Sequence, residues 1–112
     1  MAEQFNRKVS RNIVNSFTAV GGYTVGAGNQ TTLIGLTVSN TCGSLIKVDI
    51  SLYDGANHNY IVKNCEIAVG STLVAVGGDQ KIVMVAGDSV QVKTDGASNT
   101  CDVIASMLEI IN

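Results

Sequence analysis

The chain has 112 residues, of which 46% are apolar and only 14% charged, with 12 Gly, no Pro, no Trp and a net charge of −2. That length holds one domain, and the charged share is well below the roughly 25% usual in soluble domains. Val, Ile and Thr number 15, 10 and 9, so 34 of 112 residues are β-branched. Such a composition excludes a coiled coil or helix bundle, intrinsic disorder and a membrane helix, which needs an apolar run of ~20 residues.

In chain order, residues 1–11 come first. They hold Glu3, Arg7, Lys8 and Arg11, a net +2, which leaves −4 on the remainder to give the total of −2. This segment is expected to be a basic N-terminal arm, with residues 12–112 forming the folded domain. It has no apolar h-region and so does not read as a signal peptide; synthesis in the cytoplasm is expected. Beyond it, turn clusters recur at Gly21-Gly22, 26–29, 40–43, 54–57, 77–79, 86–88 and 95–99. Each supplies Gly, Asn or Asp, which tolerate positive φ or bond their own backbone. Successive clusters lie about 8–12 residues apart, the spacing of a sandwich or barrel.

The runs between the turns predict strands at 12–20, 31–40, 45–53, 59–64, 66–69, 72–76, 81–85, 89–94 and 101–111. Joining 66–69 to 72–76 as one bent strand makes eight. Over 45–53, Ile46, Val48, Ile50 and Leu52 alternate strictly with Lys47, Asp49, Ser51 and Tyr53, a period a helix cannot use. Val90 and Val92 alternate likewise with Gln91 and Lys93. Over 31–40, Thr32, Ile34, Leu36 and Val38 are placed inward, with Leu33 outward. The last run is apolar on both faces, Ile104, Leu108 and Ile110 on one and Val103, Ala105 and Met107 on the other; it reads as a central strand covered on both sides. The expected fold is therefore an all-β antiparallel two-sheet sandwich, jelly-roll-like, with about eight strands. An immunoglobulin-like sandwich is the alternative, but the core Trp and paired Cys are missing.

Chemistry is scarce. Cys42, Cys65 and Cys101 are odd in number and widely spaced, with no CxxC or Cys/His cluster, so neither a disulfide framework nor zinc is expected. His58 is the only histidine, and Asp54 is its only local carboxylate. The loops 54–59 and 95–99 have oxygen donors without the ladder of an EF-hand. No GxSxG elbow, phosphate loop or pair of catalytic carboxylates is present. Five rings without basic interleaving make a poor single-strand platform. These patterns predict no enzyme, no cofactor, no metal, no small-molecule substrate, and neither nucleic acid nor membrane as partner.

What remains is surface. Leu33, Val103, Ala105 and Met107, together with the second faces of the 72–85 region, exceed what a single small core hides, and an uncharged surface with extra apolar residues marks an interface. A homo-oligomer is expected, with these four residues facing a neighbour. The arm residues Phe5, Arg7, Lys8, Val9 and Arg11 would reach a partner, Phe5 as apolar anchor and the basic side chains as charge partners.

Six segments carry a resemblance: 10–15, 23–28, 32–40, 60–64, 77–83 and 86–92. In this order they resemble small virion structural proteins of tailed phages, above all those of cyanobacterial phages. Gly26 departs from that pattern, where Pro is frequent. The resemblance implies a non-catalytic virion component: a capsid decoration (cement) protein, trimeric and bridging major capsid subunits, or else a neck, tail or baseplate subunit. A host-glycan binding module, with Tyr53 and Tyr60 as stacking rings, is a further alternative.

Overall fold

The computed structural model describes residues 2–96 and 100–111. Nine strands form: β1 Ala2–Ser10, β2 Thr18–Ala19, β3 Gln30–Asn40, β4 Ile46–Tyr53, β5 His58–Ile67, β6 Thr72–Val76, β7 Ile82–Val85, β8 Ser89–Thr94 and β9 Cys101–Ile111. They pair antiparallel in two sheets. One runs β1-β9-β3-β6, with β7 also on β3, and the other runs β2-β8-β4-β5. This is the strand order of a jelly roll, the expected fold.

Strands β6 and β7 lie end to end against β3. Thr72–Val76 pair with its second half and Ile82–Val85 with its first. They are one jelly-roll strand interrupted by the turn at 77–81, closed by the Gln80 N–H on the Gly77 carbonyl at 3.1 Å. The expected runs thus reduce to seven jelly-roll strands, and β1, expected as an arm, brings the count to eight. Residues 66–67 belong to β5, and the Ser71 N–H on Ala68 O, with Gly70 at φ +75°, turns the chain toward the other sheet. The first piece of the expected strand 12–20 crosses between sheets instead. Ile13 bonds Cys101, and Val14 accepts from Thr94.

The expected arm is itself a strand. Residues 2–10 pair with 111–103, all of β9 but its first two residues. An unpaired β9 would leave a row of backbone donors and acceptors without partners, and β1 satisfies them. Its inward side chains are seated individually. Asn6 donates to the buried Glu109 carboxylate. Lys8 Nζ sits 5.4 Å from the centre of the Tyr23 ring. Ser10 Oγ accepts from the Gly21 N–H at 2.7 Å. Gly21 adopts φ +62°, and a Cβ there would lie 2.7 Å from Lys8 Cβ. Only glycine permits both that backbone and that approach.

Ile46, Val48, Ile50, Val90 and Val92 fill the core from the four-stranded sheet, as their alternation predicts. The other sheet corrects the expected facing of two strands. In β3 the register against β9 skips Ile34 between Leu33 and Gly35. Such a bulge shifts parity by one residue. Thr31 and Leu33 therefore point inward before it, and Leu36, Val38 and Asn40 after it. Leu33 is fully buried rather than outward. In β9, Val103, Ala105 and Met107 are buried in the core, while Ile104 is half exposed. The strand is central in its sheet but covered on one side only.

Candidate functional site

Opposed residues of an antiparallel pair share a face, so the registers map the outer side of the five-stranded sheet. Four cross-strand rows result. One is Glu3–Ile110–Gln30–Val85, the next Phe5–Leu108–Thr32–Val83, then Arg7–Ser106–Gly35, then Val9–Ile104–Thr37–Val74. Six of the nine exposed large apolar side chains of the described residues lie here: Phe5, Val9, Val74, Val83, Val85 and Ile104, at 42% to 78% exposure. Strand spacing makes the rows about 15–20 Å wide and ~24 Å long, a patch on the order of 400 Å². That is half the roughly 800 Å² that each partner contributes to an interface of standard size. Its charges stand at the periphery, Glu3 and Arg7 on the β1 edge and Asp102 at one end. A charge-depleted centre with a polar rim is the anatomy of an interface.

The residues singled out in the sequence divide accordingly. Phe5, Arg7 and Val9 stand together on this face. Lys8 has the opposite parity and lies over Tyr23. Arg11 follows the end of β1 and lines a groove with Arg7, Val9, Asp102 and Ile104. Leu33, Val103, Ala105 and Met107 are core residues, so the expectation that they face a neighbour is corrected: they support the face from beneath. Val74, Val83 and Val85 lie in the 72–85 region whose second faces were expected to be surplus, whereas Ile104 and Leu108 were not among the expected contacts. The signal for them was present, since β9 was apolar on both faces and only the assignment of sides was reversed.

The opposite outer face, on the four-stranded sheet, is polar. Lys47, Asp49, Lys93 and Glu66 share it, with Lys93 Nζ 3.8 Å from Asp49. Beside them Phe17 stacks on His58 at 4.1 Å between centres, and Tyr53 lies 4.5 Å from the same imidazole. His58 Nδ1 bonds Ser51 Oγ at 2.7 Å. A serine–histidine contact suggests a nucleophile, but Ser51 has no exposed surface. Its hydroxyl holds the ring and reaches no substrate. Lys93 and Lys63 sit 4.8 Å from the Phe17 and Tyr60 ring centres, so these rings already have internal partners.

The oxygen-rich loop is equally self-contained. The backbone N–H groups of Asn57 and Ala56 hold the Asp54 carboxyl below its usual value, and Asn59 adds a third bond. This is an Asx turn. Of the second such loop, residues 97–99 lie outside the described residues. Among the described residues no three His, Cys, Asp or Glu side chains converge on a metal site. Cys42, Cys65 and Cys101 are free thiols, and burial pushes Cys101 up to about 11. Burial likewise raises the Tyr23 phenol, opposed by its bond to Thr31 at 2.6 Å.

Strand order and layering define a jelly-roll sandwich with one apolar and one polar outer face. No family model matches the chain, and no curated protein matches its sequence. Solved structures share the fold at low identity. A chain of the Bacillus endospore appendages, which form disulfide-linked pili, gives a TM-score of 0.57 at 12% identity, over 98% of this chain and 89% of that one. A chain in the acidic-stable capsid structure of Helicobacter pylori bacteriophage KHP30 gives 0.57 at 9% identity, over 99% and 89% respectively. At these identities the likeness is one of fold.

Proposed function

We propose that the chain is a non-enzymatic structural subunit of a phage virion, a decoration protein that oligomerises on the capsid and bridges major capsid subunits. The observation that carries this reading is the apolar outer face of the five-stranded sheet. Six large apolar side chains stand exposed on this one face, a patch of the size that is often functional. The fold shared with a chain of a phage capsid and the sequence resemblance support the same reading. The role asks the chain to hold neighbours together, which needs packed area and no reacting group.

The test is add-back to particles lacking the protein. Such particles lose heat resistance, and purified wild-type chain restores it. A Val83→Asp variant places an unpaired charge in the contact and fails to restore it. Capsids that are equally heat-resistant without the protein overturn the reading. A label confined to one vertex or to the tail assigns the chain to the neck, tail or baseplate instead. Tyr60, 45% exposed beside the His58 cluster, is where the glycan alternative would show itself, as array binding lost in Tyr60→Ala.

A further inference from the structure

Strand β1 ends its sheet, and among the described residues no strand pairs with its other edge. A nine-residue edge without Pro is a template for another strand. Edge charges normally discourage such pairing, but here their placement selects one mode of it. On the outer side of β1 the order is Glu3, Phe5, Arg7: acid, ring, base, symmetric in spacing about Phe5. Neither Glu3 nor Arg7 has an ion-pair partner among the described residues.

We propose that β1 pairs antiparallel with β1 of a second copy about a two-fold axis at Phe5. In that register Phe5 opposes the partner's Phe5, Glu3 opposes the partner's Arg7, and Arg7 opposes the partner's Glu3. Opposed Cα atoms stand ~4.5–5.5 Å apart in such ladders, within reach for both ion pairs and for the two rings. Other arrangements lose this match. A parallel pairing sets Glu3 on Glu3 and Arg7 on Arg7. A shift of one residue along each strand sets Phe5 against the partner's Arg7. A register centred between residues sets Phe5 against the partner's Asn6 and turns the two apolar faces to opposite sides. The two-fold at Phe5 keeps both faces on one side, so that two copies present one continuous apolar surface. The contact is isologous and distinct from any three-fold contact. Where trimers form, it joins two of them.

Sedimentation equilibrium of the purified full-length chain at low ionic strength tests this without any virion component, so its outcome is separate from that of the decoration assay. Wild type shows a concentration-dependent doubling of mass. Glu3→Arg and Arg7→Glu each set like charges opposite at two symmetric positions and weaken the doubling about tenfold or more. The double variant recovers wild-type association. So does an equimolar mixture of the two single variants, because each supplies the charge the other now lacks. Unchanged thermal melts for all variants show that β1 remains seated on β9. The proposal is overturned if wild type does not double in mass, if the single variants associate as wild type does, or if the double variant and the mixture stay as weak as the single variants.

Discussion

Ile34 is skipped in the register of β3 against β9, where Leu33 pairs with Met107 and Gly35 with Ser106. Deleting it leaves both pairs in place and makes the ladder regular. β7 holds residues 30–33 and β6 holds 36–39, so neither loses a partner. What is lost is the half-buried Ile34 side chain. Full burial of such a group contributes about 1.5–3 kcal/mol, so half of it contributes roughly 1 kcal/mol. β6 and β7 approach by one residue, ~3.4 Å, which the 77–81 turn absorbs. The expected cost is about 1–2 kcal/mol. Deleting Thr37 removes the same number of residues three positions on, with a different result. The cheapest accommodation irons out the bulge and moves Gly35 into the place of the fully buried Leu36. A cavity of that size costs about 3–5 kcal/mol. The alternative turns Val38 and Asn40 outward. That strands the Ser44 and Ile67 carbonyls, each now bonded by Asn40 Nδ2 at 2.9 Å, and costs at least as much. With a urea slope of about 1–3 kcal/mol per molar, the two deletions separate by roughly 1 M in midpoint, the Ile34 deletion being the more stable. Equal midpoints, or the reverse order, refute the parity argument and with it the assignment of the outer face.

Gly21 and Gly22 both adopt positive φ, +62° and +66°, but only a Cβ at Gly21 meets Lys8. Gly21→Ala is expected to lower stability by about 1–3 kcal/mol and Gly22→Ala by about 1 kcal/mol; equal melting temperatures would mean that β1 is not packed on this turn. At pH 8, Cys42 and Cys65 should react with a thiol reagent in the folded protein while Cys101, buried and raised to about 11, waits for denaturant; rapid labelling of all three contradicts the burial. Asp54 has a lowered pKa from the Asn57 and Ala56 N–H bonds. Its turn is therefore favoured above the ordinary carboxylate value and loosens as pH falls through the folded value. An NMR titration of the Asn57 amide should show a midpoint below that of a model aspartate, and one at or above it removes the Asx turn as the cause.

Local patterning carried the four-stranded sheet to the right answer. Ile46, Val48 and Ile50 alternate with polar partners, and one buried face plus one wet face leaves a single way to orient the strand. β9 offered no such contrast. With Val103, Ala105 and Met107 on one side and Ile104, Leu108 and Ile110 on the other, both sides are apolar, and parity is set by the strands it meets. β3 alternates, but the bulge at Ile34 reverses the phase midway, and Ile34 is itself an ordinary strand residue that does not announce a bulge. β1 was hidden differently. Asn6 and Lys8 look like part of a solvated tail, and their inward role becomes visible only against Glu109 and Tyr23, which lie 103 and 15 residues away in sequence. The apolar excess was therefore legible as an amount, while its location depended on two long-range pairings.

Those two pairings also explain why the excess collects on one face. The bulge keeps Thr31, Leu33, Leu36 and Val38 all inward, so β3 gives the outside Thr32, Gly35 and Thr37 along its middle, small groups that lie low between the ridges, with the half-buried Ile34 beside Phe5 and Ser106. β1, docked on β9, adds Phe5 and Val9 at the margin and brings the charges of Glu3 and Arg7 to the edge rather than the centre. A free arm would have left Ile104 and Leu108 on an edge strand with an open ladder, the arrangement most prone to unspecific pairing. Seating β1 closes that ladder and moves the open edge outward by one strand, onto a sequence whose charges admit one partner register. The same nine residues therefore complete the apolar face and decide what meets its border.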